Sequence, residues 1–248
     1  MRLDLNCDLG EGESRRQTRA LMRWITSANV ACGGHAGDVS TMRACVRWAR
    51  EFRVNLGAHP GVPTVDGFGR GALQLAAGQL ELLLLQQVGV LARIAGEEKV
   101  PLHHIKLHGS LYHAVEGSQP LAREYLRLSA HWWPGCVVFA FAGGRVARWA
   151  RRMGVPVWEE AFVDRAYRDD GTLLPRGAPG ALLTDRHAIL ERVRRLQAGQ
   201  AIESERGRPL RLRARTMCLH GDTPGASQLA SAIARVAGRS AIKATPAG

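Results

Sequence analysis

Four histidines, His35, His59, His108 and His220, each stand within two residues of a glycine where a short apolar run ends. A neutral imidazole can act as base, hydrogen-bond donor or metal ligand, and glycine lets the backbone approach whatever the ring touches. One such pairing is ordinary loop chemistry. Four of them, in "VACGGHAGD", "GAHPG", "IKLHGS" and "CLHGD", make a candidate site. Other polar residues share the pattern: Asn6, Asp8 and Glu11 close the first apolar run, Lys106 precedes His108, Glu160, Asp164 and Arg165 close the sixth, and Asp222 follows His220.

Asp8 and Glu160 are the candidate general bases, because carboxylates set among apolar strand residues can gain proton affinity. The histidines together with Asp8 could hold a divalent metal, Asp8, His35 and His59 being the proposed ligands; the same residues could equally serve as acids, bases or oxyanion donors. Lys106 shares a strand face with His108, so a cation there meets a substrate carboxylate or phosphate, or else an internal partner such as Glu160. Arg70, Asp164 and Arg165 fall in loops, where ion-pair scaffolding and substrate contact are both open. Cys7, Cys32 and Cys218 sit just before strand ends, where small apolar packing is a commoner use than nucleophilic catalysis. His103, His104, His113, His131 and His187 fall outside these motifs.

The elements that must position these groups alternate. Short apolar runs at 2–7, 27–32, 53–58, 102–107, 136–141, 155–162 and 215–220 read as strands. Stretches near 17–26, 39–53, 78–97, 119–131, 144–153, 186–198 and 226–238 carry apolar residues at three- and four-residue spacing and read as helices. Such alternation gives parallel strands in an open doubly wound sheet or a closed barrel. The ionisable groups decide between them. They sit at the C-terminal ends of six strands, which converge on one mouth only if the sheet closes, so an α/β fold with a seven-stranded parallel β/α barrel is predicted. No linker or low-complexity block interrupts residues 1–248, which read as one domain. The irregular stretch 165–182 reads as an excursion over one end.

Composition narrows the classes. With 46% hydrophobic residues the chain can bury a sizeable core. Its apolar stretch at 80–92 is broken by Gln86 and Gln87 and too short to span a bilayer, and no charged-then-apolar leader opens the sequence, which favours the cytoplasm and no membrane partner. The net charge of +12 is scattered along solvated helix faces without interleaved aromatics, which argues against nucleic acid. Five cysteines without C-x-x-C spacing read as reduced thiols. Neither a G-x-G-x-x-G fingerprint nor a G-x-x-x-x-G-K-[ST] phosphate loop follows the first strand.

Six stretches, "DLNCDLGEG", "SANVACGGHAGD", "GAHPGVPTVDGFGR", "HHIKLHGSLYH", "EAFVDRAYRDDGTLLPR" and "CLHGDTP", occur in this order over nearly the whole chain, and together the sequence resembles the LamB/YcsF family. The resemblance implies a seven-stranded β/α barrel related to carbohydrate deacetylases. It also implies an A subunit that works with B and C subunits in the ATP-dependent opening of 5-oxoproline to L-glutamate. Three positions depart from the family pattern: Gly34 in place of Phe, Leu107 in place of Pro, and Gly71 where a second Arg follows Arg70. The loop after Glu13 also differs. Gly34 predicts a roomier pocket.

On this resemblance the chain is expected to hydrolyse a small anionic cyclic amide, with ATP as co-substrate of the complex, a nucleotide that need not bind in this chain. Asp8 or Glu160 would deprotonate water, His35, His59 and His220 would orient it or hold a metal, and Lys106 with His108 would stabilise developing negative charge. Asn6, Arg70, Asp164, Arg165 and Asp222, together with His35, His59 and His220, would contact substrate. Two other readings stand beside it: a metal-dependent deacetylase of a carbohydrate-like amide, and a non-catalytic subunit that binds the ligand for its partners.

Overall fold

The computed structural model describes residues 3–63, 73, 75, 78–223 and 225–238. Seven strands form a closed parallel barrel in chain order: β1 (Asp4–Leu9), β2 (Ser27–Ala31), β3 (Asn55–His59), β4 (Leu102–Ile105), β5 (Val137–Phe141), β6 (Val157–Phe162) and β9 (Thr216–His220), the last pairing with both β6 and β1. All seven lie where apolar runs were read. Between β6 and β9 a two-residue hairpin, β7 (Ile202–Glu203) with β8 (Pro209–Leu210), stands apart from the barrel.

The helices follow their strands: α1 (Arg15–Met22), α2 (Val39–Phe52), α3 (Gln79–Glu97), α4 (Gly109–Gly117), α5 (Gln119–Trp132), α6 (Arg145–Met153), α7 (Arg186–Gln197) and α8 (Ala226–Val236). Local chemistry starts them. Ser14, Asp38, Ser118 and Asp185 each accept a backbone N–H of the first turn, which satisfies donors that the helix cannot. Helix α2 buries Met42, Cys45, Val46, Ala49 and Phe52 at three- and four-residue spacing, its inner stripe. Helix α4 lies outside the expected set: nine residues with glycine at both ends and no capping side chain carry little helix signal. Among the described residues no helix is long and apolar enough to cross a membrane.

Strand alternation sorts side chains into two compartments. On β1, Leu5, Cys7 and Leu9 face the helices and are fully buried in the main apolar core. Asp4, Asn6 and Asp8 face the barrel axis, where they meet polar residues of the neighbouring strands. Asp4 accepts from Ser27 and Thr216, and Asn6 donates to Glu160 and Thr216 while its carbonyl accepts from Asn29. The barrel interior is thus largely polar, and burial at such a cost persists because each of these groups finds a partner.

His104 belongs to this interior. Its Nε2 donates to Asn29 Oδ1 at 2.7 Å and its ring stacks on Phe139 at 4.0 Å. A Cβ on Gly57 would overlap that imidazole, so glycine there makes the room. His104 therefore has a structural place that its position outside the strand-end motifs did not suggest. Burial pushes it well below the usual imidazole range and it stays neutral.

The stretch after β6 covers the mouth. It folds back on itself through antiparallel bridges between Arg165 and Leu182 and between Tyr167 and Leu173. Ala166, Leu174 and Ala181 form its own small apolar cluster.

Candidate active site

The C-terminal strand ends open on a cavity of about 640 Å³. Its polar floor is Asp8, His59, Lys106, His108 and His220; Tyr112, Phe141 and Phe162 wall one side, and Arg165, Arg168, Leu174 and Arg176 come from the covering stretch. This is the size range of pockets that hold small organic ligands. The polar groups of the floor fall into three linked sets.

The first is centred on Lys106, which is 2% exposed. Its Nζ lies 2.8 Å from Asp8 Oδ1, 3.0 Å from Glu160 Oε1, 3.0 Å from Cys218 Sγ and 3.3 Å from Asn6 Oδ1. Burial opposes charge on Lys106, but Asp8, Cys218 and Glu160 around it raise its proton affinity well above the ordinary lysine value. Burial equally opposes charge on Asp8, yet His59 and Lys106 hold it well below the usual carboxylate range. The pair is an ammonium and a carboxylate. Both alternatives read for Lys106 hold at once, since it faces the cavity and is an internal ion-pair partner of Glu160.

The second set is a carboxylate–imidazole pair. His220 Nδ1 lies 2.9 and 3.0 Å from the two oxygens of Asp164. Asp164 also accepts from the backbone N–H of His220 at 3.1 Å and from the Thr223 hydroxyl at 2.8 Å. Burial would raise the Asp164 carboxyl, but His220 and these donors bring it down to about 2. The ionised carboxylate fixes the hydrogen on Nδ1 and leaves Nε2 turned to the cavity, 3.9 Å from Asp8 Oδ2.

The third set gathers three imidazoles around Glu11. Its Oε1 lies 2.8 Å from His35 Nε2, 3.1 Å from His108 Nδ1 and 3.4 Å from His59 Nε2. His59 Nδ1 lies 2.8 Å from the Lys106 carbonyl, which only accepts, so Nδ1 carries the hydrogen and Nε2 faces His108, Glu11 and Asp8. Burial would lower His59, but Asp8 raises it. Burial also opposes charge on Glu11, whereas His108 and His35 hold its carboxyl well below the ordinary value. Among the described residues two groups have the donor chemistry and closeness that a metal requires: Glu11 with His35, His59 and His108, and Asp8 with Cys218 and His220.

The expected residues divide accordingly. His59, His108 and His220 line the cavity with Asp8, Lys106 and Arg165. His35 does not; it stacks behind His108 at 3.5 Å, its side chain fully buried. The four histidines converge, but not on one open surface. Asn6, Glu160 and Asp164 are at most 1% exposed and lie under the floor. There Asn6 and Asp164, read as substrate contacts, hold neighbouring side chains, and Glu160, read as a base, is held by Lys106, Asn6 and the Tyr112 hydroxyl. Asp222 sits on the rim, its side chain 46% exposed and held at 2.5 Å by Arg176. Arg70 and Gly71 lie outside the described residues.

Gly34 does not enlarge the pocket. A Cβ there would overlap the Gly61 carbonyl and the Gln87 amide, and Gln87 clasps Gly61 through both its amide atoms, at 2.9 and 2.7 Å. The position is already filled from outside. The five cysteines are buried and free, and burial pushes Cys32 up to about 12 and Cys7 and Cys218 well above the ordinary thiol value, which opposes a thiolate nucleophile; Cys218 Sγ instead accepts from Lys106.

Several contributing residues were not singled out from sequence. Glu11 stands three residues after Asp8 and was read only as a strand-end carboxylate; its neighbours become visible only when β2, β3 and β4 close beside β1. Tyr112 lies one helical turn after His108, a spacing that places both over the cavity. His113 lines the cavity as well. Asn29, inside β2, bridges Asp8, Asn6 and His104.

The sequence model of the LamB/YcsF family matches residues 3–248. A Pyrococcus abyssi protein, named as the A subunit of 5-oxoprolinase, is 41% identical over 249 residues, covering 99% of this chain and 98% of the relative. The Pyrococcus furiosus protein of the same name is 40% identical, covering 100% and 98%. Among solved structures, the lactam utilization protein from Thermus thermophilus superposes with a TM-score of 0.86 at 33% identity, covering 99% of this chain and all of that one.

Proposed function

Because this chain belongs to the LamB/YcsF family, we propose that it is the lactam-opening component of an ATP-dependent 5-oxoprolinase, its A subunit, working with partner subunits of the B and C type. The observation that carries this reading is the pairing of an oriented imidazole with a floor of fixed charge. His220, held by Asp164, faces Asp8 over a cavity whose covering stretch contributes Arg165, Arg168 and Arg176. The guanidinium groups suit the carboxylate of 5-oxoproline. The cavity exceeds what one five-membered ring fills and leaves room for a phosphoryl group.

A lactam is a poor electrophile. Phosphorylation of its amide oxygen, at the expense of ATP, exposes the ring carbon to water. The tetrahedral adduct expels the ring nitrogen, and the resulting acyl phosphate takes up water to give glutamate and phosphate. In this reading His220 Nε2 accepts the proton of the attacking water and returns it to the leaving nitrogen, as a carboxylate-oriented imidazole does in other acyl-transfer sites. Lys106 keeps Asp8 anionic beside that ring and adds positive potential at the floor. The phosphorylation step belongs to the partners, since the sequence carries neither a phosphate loop nor a Gly-rich dinucleotide fingerprint.

The test is reconstitution. Purified chain with ATP and 5-oxoproline is expected to release neither phosphate nor glutamate alone, and to yield both in equal amounts once the B and C subunits are added. Stoichiometric glutamate from the isolated chain sinks the division of labour, and an inactive full mixture sinks the lactam assignment.

A further inference from the structure

We propose that Glu11, His59 and His108 bind one divalent cation of the zinc class at the cavity floor, with His35 as the residue that positions Glu11. The inference concerns binding alone and stands apart from the lactam reading. Three separations define the site. Glu11 Oε1 lies 3.4 Å from His59 Nε2 and 3.1 Å from His108 Nδ1, and those two nitrogens are 3.1 Å apart. Donor atoms on bonds of about 2.1 Å stand roughly 3.0 Å apart at right angles and roughly 3.4 Å apart at tetrahedral angles. The triangle therefore matches one face of a coordination shell, and two imidazoles with one carboxylate are a donor set that zinc takes in catalytic sites.

The surroundings suit a cation. Besides Glu11, Asp8 Oδ2 brings a second carboxylate to 3.5 Å from His59 Nε2, so negative charge faces the imidazole from two sides. His59 is oriented for the role by the Lys106 carbonyl, which takes its Nδ1 hydrogen and leaves Nε2 for the metal. His59 and His108 both line the cavity, so the remaining coordination position opens toward it.

His35 takes a different part. Its ring lies parallel to that of His108, 3.5 Å away at an interplanar angle of 4°, so the two rings cannot both direct in-plane lone pairs at one ion without turning. Its Nε2 instead donates to Glu11 at 2.8 Å, the arrangement of an outer-shell partner. Asp8 is not among the donors that lie within reach of one another here: its Oδ1 is taken by Lys106 and Asn29, and its Oδ2 stands 3.5 Å from His59 Nε2 as a neighbouring charge. When bound, such an ion supplies Lewis acidity to an oxygen in the cavity.

The full-length chain, stripped with chelator and titrated with Co²⁺, is expected to take up one equivalent with a visible absorption band typical of low coordination number, displaced by Zn²⁺. Glu11→Gln and His108→Gln should each weaken uptake at least 100-fold. His35→Asn should weaken it about 10–100-fold with the stoichiometry kept, and Asp8→Asn should leave it within tenfold. Circular dichroism of each metal-free variant separates lost binding from lost fold. No stoichiometric uptake by the folded parent chain overturns the proposal. So does uptake that survives Glu11→Gln and fails in Asp8→Asn, which would move the ion to the Asp8, Cys218 and His220 group.

Discussion

His220 and Asp164 are joined twice, side chain to side chain at 2.9 Å and backbone N–H to carboxylate at 3.1 Å. The ring is thereby fixed in tautomer and in direction, which a base needs and a surface histidine lacks. Asp164→Asn keeps the shape but presents an amide to Nδ1, so the imidazole is driven toward the tautomer whose Nε2 carries the hydrogen. In the assembled enzyme, kcat for glutamate formation is expected to fall about 10²–10⁴-fold with KM little changed. Steady-state kinetics check it, and a loss under threefold would remove this pair from the chemistry.

Lys106 makes a second prediction, about stability as much as rate. Its ammonium holds Asp8 and Glu160 inside the barrel, and removing one member of a buried ion pair strands the other charge. Lys106→Met is expected to cost about 3–5 kcal/mol, which for a chain of this size lowers the melting temperature by roughly 10 °C. Pairing it with Asp8→Asn should recover part of the loss, because one stranded charge is then gone. Thermal melts of the two singles and the double decide; strict additivity would mean that the pair is not coupled.

The barrel is legible in the sequence because its strand-end groups recur: Asp8, His59, Lys106, Glu160 and His220 follow apolar runs, and only closure brings them together. What sequence conceals is which polar residue faces the open cavity and which lies beneath it. Asn6 and Asp8 share a strand face, yet Asn6 is fully buried while Asp8 reaches the floor, a difference of one layer along the barrel axis. Glu11 shows the same limit, since its three imidazole neighbours come from separate βα segments. His104 carries no motif because its partner, Asn29, is 75 residues away.

That His104 predicts how stability responds to acid. Burial, then the charges of His103 and Lys106, keep its folded pKa well below 6.5, whereas the unfolded chain protonates it near 6.5. As pH falls below about 6.5 the unfolded state binds a proton that the folded state refuses, so stability drops with falling pH. Asp164 adds to the loss lower down: depressed to about 2, it contributes stability above about 4 that disappears as pH falls toward 2. His104→Gln keeps a donor for Asn29 without titrating. Urea denaturation at several values between pH 7 and 5 should show a slope shallower in this variant by about 1 kcal/mol per pH unit on average, approaching about 1.4 at the acid end. Parallel slopes would mean that His104 is charged in the fold.

Gly34 gives the last prediction. The site of its missing side chain is closed by the Gly61 carbonyl, which cannot swing away, and by Gln87, which both donates to and accepts from Gly61. Gly34→Ala therefore forces backbone apart and is expected to cost about 1–3 kcal/mol or more. Removing the second obstacle as well, in Gly34→Ala with Gln87→Ala, should not restore the parent's stability, because the carbonyl stays and Gly61 loses both amide bonds. The cavity is lined by neither residue, so ligand affinity in the single variant should stay within a few-fold of the parent. Denaturation midpoints and 5-oxoproline binding measured on the same preparations test both halves. A Gly34→Ala chain as stable as the parent would show that position 34 has space after all, and the roomier pocket expected from its glycine would return.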